Sequence, residues 1–195
     1  MEKFLEKISR RFFWVLPARF AHSVQYRIER HKKLRLDGDG RDFNEKLQYL
    51  IVYKFGKKEG SLADKCLVKK YVEGLRIGGL EIPKTLKVYH DANDIKVDEL
   101  PEKFVLKCNH SSGDVIICDD KRSFNLEKNK KILDRKLREK LARKTLEYHY
   151  NYIKPLIMAE EYLDDGTGKN PLDYKFYVFN GKCDRILVCS EREKS

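Results

Sequence analysis

The sequence predicts an α+β protein that begins with a helical region. Helical periodicity dominates the first 80 residues and residues 125–150, whereas short apolar runs between turn residues mark strands near 104–118 and in the final third. Of the 195 residues, 41% are hydrophobic and 37% are charged, which describes a folded and strongly charged chain. No apolar run is long enough to predict a membrane span.

The first two helices are predicted to be basic. Phenylalanine, leucine and isoleucine recur on one face of residues 1–16, and Lys and Arg surround that face. Pro17 stops or kinks this helix, and a second one is expected from about Arg19 to Leu34. A basic helix rich in aromatic residues either lies on an anionic membrane or docks on its own domain, and the pattern leaves both open.

Two further helices carry capping signals. Asp42 with Glu45 forms a plausible capping box, and Ser61 with Asp64 predicts another helix start. The inward face of the later helix is expected to comprise Val68, Tyr71, Val72 and Leu75.

Positive charge is concentrated in two segments. The net charge is +11 overall, with +7 in residues 1–36, +8 in residues 121–154 and −4 in the remainder. Such basicity indicates a nucleotide, an acidic glycan, an anionic membrane or a nucleic acid as partner, unless it is simply a solvated helix face. Because no groove-reading motif is present, a nucleic-acid partner is not expected.

The central segment, FVLKCNHSSGDVIIC (104–118), predicts a strand, a polar turn and a second strand. Lys107 precedes the turn, so loop amides and a fixed positive charge could hold a polyphosphate. The GxxxxGK[ST] loop is absent, and taken alone this window equally describes an ordinary hairpin. Alternation along the strand predicts that Lys107 and Cys108 point to opposite faces.

The final third is predicted to be β-structure. LIMAEEYL (156–163) is a buried-looking run that ends in two glutamates, and residues 173–190 form a hairpin around Asn180-Gly181. Five cysteines at scattered spacings suit reduced thiols in a cytosolic protein, and no metal site or catalytic nucleophile is predicted. We therefore expect a cytoplasmic chain, with peripheral contact at the inner membrane face through residues 1–16 as the open alternative.

Five blocks together resemble one family. They occur in the order FNEKLQYL (43–50), LADKCLVKKYV (62–72), PEKFVLKCNHSSGDVIIC (101–118), IKPLIMAEEYL (153–163) and DYKFYVFNGK (173–182). This combination resembles the TupA-like ATP-grasp family over roughly three quarters of the chain. The resemblance implies two α+β subdomains that close on ATP.

The resemblance also implies roles for particular residues. Lys65 and Lys107 would face the ATP phosphates. Ser111, Ser112 and Gly113 would form a flexible loop that folds over the triphosphate. Ser111 stands where the family usually has glycine. The nucleotide-binding set implied is Lys65, Lys107, Ser111, Ser112, Gly113, Glu160, Glu161, Leu163 and Lys175, of which Glu160, Glu161 and Leu163 form the hinge at adenine and ribose.

The domain organisation implied is a basic helical region at 1–41 and a partial ATP-grasp domain at 42–195. Within the latter, the first subdomain spans about 82–155, the hinge 156–163 and the start of the second subdomain 173–190. One hairpin represents the second subdomain, so the expected fold is ATP-grasp-like with an incomplete second subdomain. The ligands of Mg²⁺ are expected beyond the C-terminus.

The function implied is ATP-dependent joining of an amine to a carboxylate on a uronic-acid-type glycan, in bacterial surface polysaccharide or teichuronopeptide synthesis. Whether this chain is itself an active ligase is left open, because the Mg²⁺-binding residues are not evident. The alternatives are a non-catalytic nucleotide- or glycan-binding remnant and a glycosyltransferase that uses a sugar nucleotide.

Overall fold

The computed structural model describes residues 13–39, 42–111, 113, 115–164, 166 and 172–189. Its mixture of helices and antiparallel sheets confirms the predicted α+β class. The α-helices are α1 (Ala18–Arg30), α2 (Phe43–Tyr53), α3 (Lys57–Ala63), α4 (Lys65–Gly74), α5 (Leu126–Leu137) and α6 (Leu141–Thr145). The strands are β1 (Thr85–Tyr89), β2 (Phe104–Cys108), β3 (Val115–Cys118), β4 (Ile157–Glu161), β5 (Asp173–Phe179) and β6 (Lys182–Cys189). Short 3₁₀ helices occur at Phe13–Val15, Ala92–Asp94, Val97–Glu99 and Tyr148–Tyr152.

A four-stranded antiparallel sheet forms the centre of the fold, with strand order β1-β4-β2-β3. Strands β2 and β3 are the hairpin predicted around Lys107, and β4 inserts between β1 and β2. In this register Lys107 lies opposite Met158, and Val105 lies opposite Glu160. Because paired residues share a face, these four side chains lie on one side of the sheet.

The other side of the sheet carries the main hydrophobic core. Phe104, Leu106 and Cys108 alternate inward along β2, and α5 covers them through Leu133. This alternation confirms that Lys107 and Cys108 point to opposite faces. The core residues are Tyr89, Ala92, Ile95, Leu100, Phe104, Leu106, Cys108, Cys118, Leu133, Ile157 and Ala159.

A second, smaller core joins the beginning of the described chain to α6. Phe13, Ala21 and Leu146 are buried together, and His22 Nε2 contacts the carbonyl oxygen of Leu146 at 3.0 Å. Helix α1 is the predicted second basic helix, but it ends at Arg30, where His31 adopts a left-handed conformation with φ of 54°. Most of the helix predicted over residues 1–16 lies outside the described residues.

Of the predicted capping box of α2 the structure shows the N-cap bond of Asp42, whereas the cap predicted for α4 is wrong in detail. Asp42 accepts a hydrogen bond from the backbone amide of Glu45 at 2.9 Å. In α4, however, Asp64 is itself the N-cap, and its carboxylate accepts hydrogen bonds from the backbone amides of Cys66 and Leu67. Ser61 lies inside α3.

The expected inward face of α4 is wrong for Tyr71 and Leu75, which are exposed, whereas Val68 and Val72 are half-buried. None of its side chains is buried, and Tyr71 is 57% exposed. The helix instead directs Lys65 and Lys69 toward the sheet and the loop after β2.

The predicted basic helical region at 125–150 is divided into α5, α6 and the 3₁₀ helix Tyr148–Tyr152. Helix α6 ends at Leu146, which has a positive φ of 60°. The C-terminal hairpin of β5 and β6 is confirmed, with φ of 48° at Asn180 and 76° at Gly181, as a type I′ turn requires.

Candidate functional site

The first turn of α4 meets the segment that follows β2. The backbone amide of Lys65 donates to the carbonyl oxygen of Asn109 at 3.1 Å. The ammonium group of Lys65 also donates to the carbonyl oxygens of Asn109, at 3.3 Å, and Ser111. Lys65 thereby connects the start of α4 to the segment after β2, which lies 44 to 46 positions later in the sequence.

One helical turn later, Lys69 reaches the sheet itself. Its ammonium forms an ion pair with Glu160 and also contacts the Pro83 carbonyl oxygen and, at 3.3 Å, the Thr85 hydroxyl. The other carboxylate oxygen of Glu160 pairs with Lys107. Glu160, only 3% exposed, thus bridges two lysines from two different elements.

The sheet register explains why these charges meet. Glu160 lies directly opposite Val105, and Lys107 is two residues further along the same face of β2. Such diagonal neighbours are within reach of long side chains. The lysine of β2 and the glutamate of β4 are therefore adjacent because their strands pair, on the face opposite to the main core.

Positive charge exceeds negative charge in this lysine cluster, defined as Lys65, Lys69, Lys107 and Glu160. Asp64 is a further carboxylate near Lys65, and it accepts hydrogen bonds from two backbone amides of α4. Burial lowers the pKa of Lys65, and the nearby charge of Lys107 lowers it further, although Glu160 and Asp64 partly oppose both effects. An anion placed here would relieve the repulsion between Lys65 and Lys107.

The loop after β2 is held at its base. The side-chain amide of Asn109 donates to the Lys154 carbonyl oxygen at 3.0 Å and accepts from the Leu156 amide at 2.8 Å. Ser111 is buried, and its hydroxyl donates to the Cys108 carbonyl oxygen at 3.3 Å. Gly113 is exposed with φ of 84°, a conformation that favours glycine, and Ser112 lies outside the described residues.

The structure brings only some of the predicted site residues together. Lys65, Lys107, Ser111 and Glu160 lie together. Glu161 is adjacent in β4, but its carboxylate accepts from the Lys84 amide at 2.6 Å. Leu163 is exposed beyond the strand, and Lys175 lies on the separate hairpin, beside Asp173 and at 3.8 Å from the Cys189 sulfur.

Lys69 was missed by the sequence prediction. Its position four residues after Lys65 puts both side chains on one face of α4, and this spacing was the available signal.

Apolar side chains flank the lysine cluster on the same face of the sheet. Val88 lies opposite Met158, Val115 opposite Lys107, and Ile117 opposite Val105. Val88, Val115 and Ile117 are exposed. The face therefore combines ammonium groups with an open apolar surface.

Neither a metal site nor a membrane span is evident in the part of the chain that the structure describes. Within those residues no group of three or more His, Cys, Asp or Glu side chains could hold a metal ion. No helix there is long and apolar enough to cross a bilayer.

Comparison with known families decides the classification. A family model described as TupA-like ATPgrasp matches residues 45–195. The chain belongs to the TupA-like ATP-grasp family. This confirms the resemblance inferred from the five sequence blocks. No curated protein and no solved structure matched the chain.

Membership of the TupA-like ATP-grasp family implies nucleotide binding, and members of ATP-grasp families generally bind ATP with Mg²⁺. The lysine cluster is compatible with phosphates, because two of its ammonium groups share one buried carboxylate and the third, that of Lys65, lies near Lys107. Phosphate oxygens are strong acceptors for charged donors of this kind.

Proposed function

We propose that the lysine cluster binds the triphosphate of ATP. The observation that carries this proposal is the environment of Lys65, whose partly buried ammonium lies beside Lys107 and donates only to carbonyl oxygens among the described residues. A triphosphate would supply the missing negative charge. The exposed Gly113 allows the loop after β2 to approach phosphate oxygens closely.

The remaining predicted residues complete this proposed site. The adenine would lie against the apolar sheet face of Val88, Val115 and Ile117, bordered by the hinge residues Glu160, Glu161 and Leu163. Lys175 would approach the nucleotide from the hairpin, and Ser112 would act with Ser111 in the loop. Support comes from the shared sheet face, which puts exposed apolar side chains beside the ammonium groups.

The proposed reaction is ligation of an amine to a carboxylate. A carboxylate oxygen of the acceptor attacks the γ-phosphorus and ADP leaves, and the amine then attacks the acyl carbon and displaces phosphate. Lys65, Lys69 and Lys107 would stabilise negative charge on the phosphoryl group, and closure of the loop would exclude water. Mg²⁺, when bound, would neutralise further phosphate charge.

The proposed acceptor is an anionic, uronic-acid-type glycan of bacterial surface polysaccharide or teichuronopeptide. Two basic segments, with net charges of +7 and +8, support an acidic acceptor, because they would raise its local concentration. Family membership supports the ATP-grasp reaction class.

The test is an activity assay of the whole chain with Mg²⁺, ATP, a uronate oligosaccharide and a mixture of amino acids. Release of ADP and phosphate that requires both the uronate and an amine supports ligation. ATP binding without turnover would reassign the chain to a non-catalytic binder, and preference for a uridine diphosphate sugar over ATP would favour a glycosyltransferase. Adenosine is the matched control, because it lacks the phosphates that the lysines are proposed to bind.

A further inference from the structure

We infer that the corner where the 3₁₀ helix Phe13–Val15 meets α6 binds an anionic membrane surface. This corner is called the basic corner and comprises residues 13–15 and 135–144. The basic corner shares no residue with the lysine cluster, and the inference does not depend on nucleotide binding.

The aromatic part of the basic corner is anchored by the buried side chain of Phe13. Phe13 is buried with Ala21 and Leu146, while the next two residues, Trp14 and Val15, are exposed, Trp14 to 43%. The guanidinium of Arg143 lies over the Trp14 ring, 4.0 Å from its centre. A buried anchor therefore presents an indole, an isopropyl group and a cation together at the surface.

The charged part of the basic corner is dense. Residues 135–144 contain six Lys or Arg and one acid, Glu139. That acid organises the cations, because its carboxylate pairs with Lys136 at 3.1 Å and with Lys144. A cavity of about 390 Å³ lies here, lined by Arg135, Lys136, Arg138, Glu139 and Lys144. Its four basic side chains are charged donors of the kind that bind phosphate oxygens, such as those of a lipid headgroup.

Folding also brings the two basic segments of the sequence into contact at this corner. Residues 1–36 and 121–154 each have a strong positive net charge, and they meet through the Trp14–Arg143 contact and through His22 on Leu146. Charge from segments more than 120 positions apart in the sequence therefore adds on one surface. An anionic bilayer is complementary to such a surface.

Exposed apolar side chains favour a membrane over a soluble polyanion. A soluble polyanion would need only the cations, whereas Trp14 and Val15 gain free energy by entering the interfacial region of a bilayer. Tryptophan is the side chain most typical of that region, with its ring at the headgroup level. The amphipathic sequence of residues 1–16 runs directly into Trp14, which extends the same pattern.

The test uses Trp14 as the probe, because it is the single tryptophan of the chain. The whole protein is mixed with vesicles of phosphatidylcholine, either pure or with about a third phosphatidylglycerol, and binding is followed by co-flotation and Trp14 emission. We expect binding and a blue shift only with the anionic vesicles, weakening as salt is raised. Arg143→Ala with Lys144→Ala should lower the partition coefficient about tenfold or more.

The matched control is Lys128→Ala with Lys131→Ala, which removes the same charge from exposed positions at the other end of α5. Equal losses in the two double variants would overturn the assignment to the basic corner. Binding to a soluble acidic polysaccharide without binding to vesicles would overturn the membrane proposal. If the Arg143 and Lys144 variant does not fold by circular dichroism, quenching of wild-type Trp14 by brominated lipid decides instead, and unquenched emission would refute insertion.

Discussion

Lys107 of β2 and Glu160 of β4 form an ion pair on the sheet face opposite to the main core, one diagonal step apart in the strand register. Glu160 is nearly inaccessible to solvent and is also paired with Lys69 of α4. A buried carboxylate that holds two ammonium groups orients both of them. Under the proposed function, Glu160 would position the two lysines for phosphate.

Replacing Lys69 tests whether that arrangement stabilises the fold. Lys69→Met removes one of the two cations that compensate Glu160, together with contacts to Pro83 and Thr85. Because Lys107 remains as a partner, we expect the free energy of unfolding to fall by about 1–3 kcal/mol, measured by urea denaturation. Lys70→Met, at an exposed neighbouring position, should change it by less than about 0.5 kcal/mol. Equal effects of the two substitutions would contradict the bridging role of Glu160.

The lowered pKa of Lys65 predicts a pH dependence of nucleotide binding. Burial and the charge of Lys107 shift this pKa below the ordinary lysine value of 10.5. The protonated amine attracts phosphate, so affinity for ATP should fall as pH rises through the pKa of Lys65, before ordinary lysines lose their charge. Calorimetric titrations from about pH 7 to about pH 10 would detect the fall.

Lys65→Arg is the control for this pH dependence, because arginine keeps its charge throughout that range. The alkaline fall in affinity should be reduced in this variant. An identical pH profile in the two proteins would assign the titration to another group.

Gly60 is predicted to be required for the packing of α3. A Cβ atom at this position would lie 2.6 Å from the backbone carbonyl oxygen of His149 and 3.1 Å from Tyr152 Cβ. Gly60→Ala should therefore lower the free energy of unfolding by about 1–3 kcal/mol. Gly74→Ala, where nothing lies within 4 Å of the added atom, should instead raise it by up to about 1 kcal/mol, because alanine favours the helix. Thermal unfolding of both variants measures the difference, and a Gly60→Ala protein as stable as wild type would refute the close approach.

Local signals predicted the hairpins and several helix starts. Asn180-Gly181 adopts the positive φ angles that its turn type needs, and Asp42 caps α2, because both depend on neighbours a few residues away. The division of residues 125–150 into α5 and α6 was not predicted. No glycine or proline marks that break, which falls at residues 138–140. The left-handed Leu146 that ends α6 is buried with Phe13 and Ala21, which are distant in the sequence.

In the candidate site, too, contacts between residues distant in the sequence could not be predicted from local patterns. The lysines at 65 and 107 could be proposed from their sequence blocks, but the pairing of Lys107 with Glu160 depends on β4 pairing with β2, about 50 residues away. The orientation of α4 was predicted wrongly because apolar periodicity was assumed to face inward. In the structure, Lys69 of this helix pairs with a buried carboxylate, and Tyr71 is exposed.

The most direct measurement is calorimetric titration of Mg²⁺-ATP into the wild-type chain and into Lys107→Ala, with Lys103→Ala as the control. Lys103 has the same charge and lies just before the same strand, but it is half exposed and pairs with Asp164 at 3.4 Å. The account predicts that Lys107→Ala weakens ATP binding by about 1–3 kcal/mol, the scale for losing a hydrogen bond to a charged group, and that Lys103→Ala leaves it unchanged. Equal affinity of the Lys107→Ala and wild-type proteins, or no binding of ATP by the wild type, would contradict it.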